Sequence, residues 1–252
     1  MDIITKAALA YVTKDGIEKL LGPTFEYYGI GLKNTVESFN KKAKDNLNKI
    51  FQKSIIKKGE RLKEKEIINP RILKEVVLDG SFCDTEIVQE YYSGILASSR
   101  TENGNDDGIY YINIIKGLSS RQLKFHYAIY SKFIIENKNT VCNLHQQSEL
   151  SKMKVNFSLI ELVEILGLKS TGEIDNFTSN DLPALYNAGL IMAYNFDTTR
   201  KETNKQFEFS IELLGISLFL QAVGYSEIFA PKCLTDPKIE QVINNIISLK
   251  DI

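Results

Sequence analysis

Two histidines, His126 and His145, are the only side chains in this chain whose ordinary pKa lets them move protons near neutral pH. His126 stands between Phe125 and Tyr127, neighbours that mark a packed helix position more than a proton shuttle. His145 follows Cys142 by three residues, but two residues do not make a zinc site, which needs four ligands or three and a water. Cys83, Cys142 and Cys233 are odd in number, far apart in sequence and without C-x-x-C spacing, as reduced thiols of a cytosolic protein are. H-E-x-x-H, G-x-S-x-G, the P-loop and G-x-G-x-x-G are all absent. Gly29-Ile30-Gly31 lacks a third glycine and a preceding strand, so it reads as a bend or a close helix approach. Asp106 and Asp107 are adjacent in a polar loop, as turn residues are, not as a two-metal site is. The expectation is therefore no catalytic residue, no cofactor and no metal, which is to say no enzyme.

What remains is electrostatic chemistry. Lys33, Lys41, Lys42, Lys44, Lys49, Lys53, Lys57 and Lys58 crowd one stretch against only Glu37 and Asp45, while the whole chain carries a net charge of −1. Clustered cations of this kind suit nucleic-acid phosphates or anionic lipid headgroups, and Lys41, Lys42, Lys44, Lys49, Lys53, Lys57 and Lys58 form the candidate surface for an anionic partner. The bland alternative is a solvated helix face, favoured because lysine dominates over arginine and no aromatics are interleaved for base stacking. A second basic group, Arg200, Lys201 and Lys205, falls in a polar stretch between two strand-like runs.

These groups need elements to position them. Leu32, Val36, Phe39, Ala43, Leu47, Ile50 and Ser54 recur at steps of four and three, so the lysines belong to one long helix with a heptad-like seam. Three heptads make a short coiled coil, which favours packing within the chain over pairing with a second copy, though homo-oligomerisation is the other outlet for such a seam. Asn69-Pro70 starts a helix through Ile72, Leu73, Val76 and Val77 to Asp79-Gly80, and a further helix runs from Asp84 through Tyr91 and Ile95 toward Ala97. Asn103 to Gly108 is a polar loop. Ser119 with Gln122, and Ser158 with Glu161, are capping boxes opening two more helices, the second closed by Gly167. Leu182, Leu185 and Tyr186 sit at helical spacing before Gly189, and Met192-Tyr194-Phe196 and Phe207-Phe209-Ile211 alternate as two strands of a hairpin. An amphipathic helix closes the order, which is that of winged-helix modules. The fold class expected is mainly α: a helical region over 1–115, a winged-helix-like α+β domain with one β-hairpin over 116–230, and a docking helix over 231–252 carrying Ile239, Val242, Ile243, Ile246 and Ile247.

Composition agrees with a soluble globular protein, at 43% hydrophobic and 25% charged residues. No run approaches the roughly 18 apolar residues of a spanning helix. Met1 to Leu9, interrupted by Asp2 and Lys6, lacks a secretory h-region, so a cytoplasmic location is expected.

Several short motifs carry a family likeness. Leu20-Leu21-Gly22-Pro23, then Gly29-x-Gly31-Leu32 and the basic helix, then Asn69-Pro70-Arg71-Ile72-Leu73 leading to Glu90-Tyr91-Tyr92-Ser93-Gly94-Ile95-Leu96-Ala97, and finally Leu118-Ser119, together resemble the Abi-alpha abortive-infection family of bacteria over residues 16 to 225. The chain departs from that pattern at Tyr92-Ser93-Gly94 and in having no tryptophan. The resemblance implies a mostly helical, cytosolic phage-defence protein without catalytic residues. The functional expectation is accordingly a non-enzymatic defence protein acting through contacts with a phage or host protein. A winged-helix DNA-binding regulator is the first alternative, weakened by the absence of cations at Ser179, Asn180, Asp181 and Asn187, the expected outer positions of its recognition helix. A growth-arrest effector acting at the membrane surface is the second.

Overall fold

The computed structural model describes residues 41–196 and 206–248. Leu32, Val36 and Phe39 of the seam, Leu20–Pro23, Gly29–Gly31, and the basic residues Arg200, Lys201 and Lys205 lie outside the described residues. The fold is mainly helical, with a two-stranded ladder and a three-stranded sheet among the described residues. It divides into two compact units. One ends at Ile115 and takes in Gln221–Ser226, and the other runs from Lys116 to Leu220 and resumes at Glu227.

In the first unit, helix α1 (Lys41–Lys58) buries Ala43, Leu47, Ile50 and Ser54, the four-three seam, together with Asn46, Phe51 and Ile55. This face packs chiefly on α3 (Glu86–Ser98) of the same chain. Between them in sequence comes α2 (Pro70–Gly80), where the Asn69 side chain accepts a hydrogen bond from the Arg71 N–H at 2.9 Å and Pro70 takes the first turn, whose N–H would have no partner. Helix α3 starts two residues later than the sequence suggests, with Thr85 at its N-cap, and is buried on nearly every side because α1 and α2 flank it. Two-residue strands β1 (Ile67–Ile68) and β2 (Arg100–Thr101) pair antiparallel. They are too short to leave a periodic signal. Helix α4 (Gly108–Lys116) ends this part.

The second unit is built on α5 (Ser120–Asn137), opened by the Ser119–Gln122 capping box. A single-turn helix α6 (Gln147–Leu150) precedes strand β3 (Lys154–Ser158). That strand corrects the expectation of a lone hairpin. Val155 and Phe157 are buried and Lys154 and Asn156 exposed, so period-two alternation was present over five residues but ran straight into the stronger helix signal. Ser158 both ends β3 and caps α7 (Leu159–Leu166), whose C-cap Gly167 has φ 64°. Helix α8 (Thr171–Asn176), a π-helical turn Phe177–Asp181 and α9 (Leu182–Asn187) follow, and Gly189 at φ 68° releases the chain into β4 (Ile191–Phe196). Strand β5 (Gln206–Ile211) returns between the others, giving the antiparallel order β3-β5-β4 with Phe157 opposite Phe207 and Tyr194 opposite Phe209. Helix α10 (Leu213–Ala222) leads away from the sheet.

The core of this unit is aromatic. The Phe125 ring of α5 meets Phe177 edge-on at 4.9 Å and Phe209 at 5.0 Å, with Phe157 at 5.8 Å. The C-terminal docking helix is shorter than the apolar pattern suggested: α11 spans Ile239–Asn244, burying Ile239 and Val242 and lying against α5. Beyond its end the Ile247 N–H donates to the Tyr127 hydroxyl at 3.1 Å. No helix among the described residues is long and apolar enough to cross a membrane.

Candidate functional site

The lysines proposed as one surface have different fates along α1. Lys57 lies in the last turn and is buried with α3 beside it. Its Nζ meets Glu90 Oε1 at 2.5 Å and donates to the backbone carbonyls of Glu90 at 2.9 Å and Ala222 at 2.6 Å. Lys53, one turn earlier, reaches Glu86 at 2.6 Å and the other Glu90 oxygen at 3.1 Å. Burial pulls the Lys57 ammonium down to about 8, against the opposing pull of Glu90. Burial would raise the Glu90 carboxyl, but the charges and hydrogen bonds of Lys57 and Lys53 outweigh it and hold the group below the usual range. Lys58 is buried too, paired with Glu66 at 2.6 Å and donating to the Arg100 carbonyl at 2.8 Å, while the Arg100 guanidinium donates to the carbonyls of Leu62 and Glu64. Lys53, Lys57 and Lys58 therefore serve the interior of the unit, where each cation offsets a carboxylate and Lys57 and Lys58 also close open carbonyls.

The remainder of the basic set is solvated. Lys41, Lys42 and Lys49 are exposed and Lys44 is half-buried. Lys42 pairs with Asp84 at 3.2 Å, an exposed pair of the kind that contributes little. The positive face left on α1 is thus narrower than the sequence implied. What the lysine signal concealed is a clamp around Gln221–Ser226. Gly94 brings α3 so close that a Cβ there would stand 2.0 Å from the Ala222 oxygen. Arg61 donates to the Gly224 carbonyl at 3.1 Å and lies over the Tyr225 ring at 4.9 Å, and the Ser226 hydroxyl donates to the Ser98 carbonyl. The partners Glu90, Glu66 and Arg100 carry no sequence signal beyond their charge.

In the second unit, α8, the π-helical turn and α9 form the stretch ahead of the hairpin. Ser179, Asn180 and Asn187 are exposed, as expected. Asp181 is not. The π-helical turn swings it inward, where it accepts from Arg121 Nε at 2.6 Å and Gln122 Nε2 at 3.1 Å. Thr171 to Asn187 holds no lysine or arginine. Its prominent apolar feature is Tyr186, which helical spacing places with Leu182 and Leu185 but which is 52% exposed. Tyr186 meets Tyr194 edge-on at 6.4 Å, Tyr194 meets Phe196 at 5.5 Å, and Phe196 meets the buried Phe207 at 5.0 Å. An aromatic row thus runs from the core to the surface along edge strand β4. Alternation in Met192 to Phe196 marked the strand, but not that its edge position leaves those rings half-exposed.

His126 is wholly buried, and burial drives its pKa to about 3, so the ring stays neutral. His145 is exposed and its ring meets that of Phe229 at a tilt of 56°, with the centroids 5.3 Å apart. Among the described residues, no group of three or more His, Cys, Asp or Glu side chains is arranged to hold a metal ion. Comparison with protein-family models, with curated proteins and with solved structures finds no match.

Proposed function

We propose that this chain is a non-enzymatic, cytoplasmic phage-defence protein of bacteria that acts by protein contact, with its second unit serving as a winged-helix-like docking module. The order α5, β3, α7, α8–α9, β4, β5 and the sheet order β3-β5-β4 support the winged-helix reading. The observation that carries the function is the chemistry of the stretch in the recognition-helix place. It holds no lysine or arginine and presents Tyr186, backed by Tyr194 and Phe196. A duplex reader gains most of its affinity by neutralising phosphates with cations. Half-exposed aromatic rings with few charges are instead the composition of a protein interface. The defence role rests on the resemblance to the Abi-alpha family in the Asn69–Leu73 and Glu90–Ala97 motifs.

A panel of phages plated on a sensitive host expressing the protein tests the role. The expected result is a fall in plaque number for at least one phage, and no protection against any would contradict it. Arg200, Lys201 and Lys205, which fall between β4 and β5 in the sequence, favour the DNA-binding alternative. Electrophoretic titration with random duplex across a salt series separates the two: a docking module stays unbound at low salt, and salt-sensitive binding there favours the regulator.

A further inference from the structure

The sequence holds Cys142 and Cys233 far apart, and the fold brings the segments that carry them together. Two backbone hydrogen bonds tie the loop after α5 to the 3-10 turn Ala230–Thr235: the Asn139 N–H donates to the Leu234 carbonyl at 2.8 Å, and the Leu144 N–H to the Pro231 carbonyl at 3.1 Å. Numbering rises from 139 to 144 along the loop as it falls from 234 to 231 along the turn, so the segments run antiparallel. Cys142 and Cys233 both fall between the two ties, on the two segments that these hydrogen bonds hold together. The thiols also sense each other: burial, and then the charge of Cys142, raise Cys233 to about 12. Cys142 is half-buried and Cys233 fully buried, and neither belongs to the aromatic row or the lysine clamp.

We propose that Cys142 and Cys233 form an intramolecular disulfide when the protein meets a peroxide. The Cys142 sulfur, the more accessible of the two, attacks one peroxide oxygen. The O–O bond breaks, and the departing oxygen takes a proton to leave as water, giving the sulfenic acid. The Cys233 sulfur then attacks the Cys142 sulfur, the S–S bond forms, the S–O bond breaks, and the second oxygen leaves with the Cys233 proton as water. Two thiols lose two electrons and the peroxide becomes two waters. A dithiol reverses the bond by exchange. Because burial raises both thiols, few thiolates are present at neutral pH, and the bond records sustained oxidation rather than a brief pulse. The bond closes a loop that contains β3, β4 and β5 and so restricts the unfolded chain.

The test treats the full chain with hydrogen peroxide, blocks free thiols under denaturing conditions and maps the peptides by mass spectrometry. The expected product is a Cys142–Cys233 linked peptide, two hydrogens lighter than the pair and released by dithiothreitol, with Cys83 still alkylated. Thermal unfolding should show Tm raised by several degrees in the oxidised wild type and in Cys83→Ser, and unmoved in Cys142→Ser. The proposal is overturned if Cys142 accumulates as sulfinic acid while Cys233 remains alkylatable, if the link joins two molecules, or if it involves Cys83.

Discussion

Lys57 donates from Nζ to the carbonyl oxygen of Ala222 at 2.6 Å, closing a carbonyl at the C-terminal end of α10, where helix ends leave acceptors open and favour a cation. Helix α3 also lies close to that end of α10. Gly94 allows it, and a glycine in mid-helix is otherwise a cost.

Gly94→Ala is expected to destabilise the protein even though alanine is the better helix former. The propensity gain is about 1 kcal/mol. Against it stands a Cβ at 2.0 Å from the Ala222 oxygen and 2.4 Å from the Gln221 oxygen, both backbone atoms that cannot swing aside. Overpacking typically costs about 1–3 kcal/mol, and backbone oxygens this close put the site at the top of that range, so a net loss of about 2 kcal/mol remains once the propensity gain is subtracted. Urea denaturation reads it as a lower midpoint with an unchanged m-value.

Glu90 should give the stability an acid limb. Its folded carboxyl titrates below the roughly 4.3 of an unfolded glutamate, so its contribution is full above that pH and is lost as pH falls through the folded value. Glu90→Gln removes this dependence and leaves Lys57 buried without its counter-charge, at a cost of about 3–5 kcal/mol near pH 7. Lys57 contributes a slope of the same sign in the alkaline range. Its folded pKa of about 8 lies below the ordinary 10.5, so between those values the unfolded state binds more protons and this group adds stability as pH rises. Urea midpoints measured from pH 3 to 10 in wild type and Glu90→Gln check both limbs.

Tyr130 organises the second unit. Its buried hydroxyl donates to the Leu190 carbonyl ahead of β4 and accepts from the Glu212 N–H at 3.0 Å after β5, and a Cβ on Gly215 would stand 2.0 Å from it. Tyr130→Phe keeps the ring and strands these backbone groups, for a loss of about 1–3 kcal/mol. Chemical denaturation should show it, with the phenylalanine core contacts of Phe125 preserved in the native spectrum.

Local chemistry made much of this fold legible. Ser119, Ser158, Asn69, Gly167 and Gly189 act as caps and stops where the sequence places them, because capping depends on a few adjacent residues. Strand β3 was masked by the capping box that follows it, and Asp181 was misplaced because a π-helical turn shifts helical phase by a fraction of a turn. The lysines show the deeper limit. Lys49 and Lys57 look alike in sequence, but one faces solvent and the other is buried, since only long-range partners such as Glu90 and Ala222 decide between them. The aromatic row was hidden for the same reason: the exposure of Tyr186 on α9 and the half-exposure of Tyr194 on β4 are set by which distant residues cover them.

The most direct test of the docking claim compares phage plating on hosts expressing wild type, Tyr186→Ala/Tyr194→Ala, and Lys41→Ala/Lys49→Ala at matched protein levels and with unfolding midpoints measured for each. Truncating two exposed aromatic anchors of an interface removes about 2 kcal/mol or more of binding. Wild type and the lysine variant should protect equally, while the tyrosine variant should lose at least about tenfold in protection without loss of fold. Full protection by the tyrosine variant would contradict docking through this row, and no protection by wild type would contradict the defence role itself.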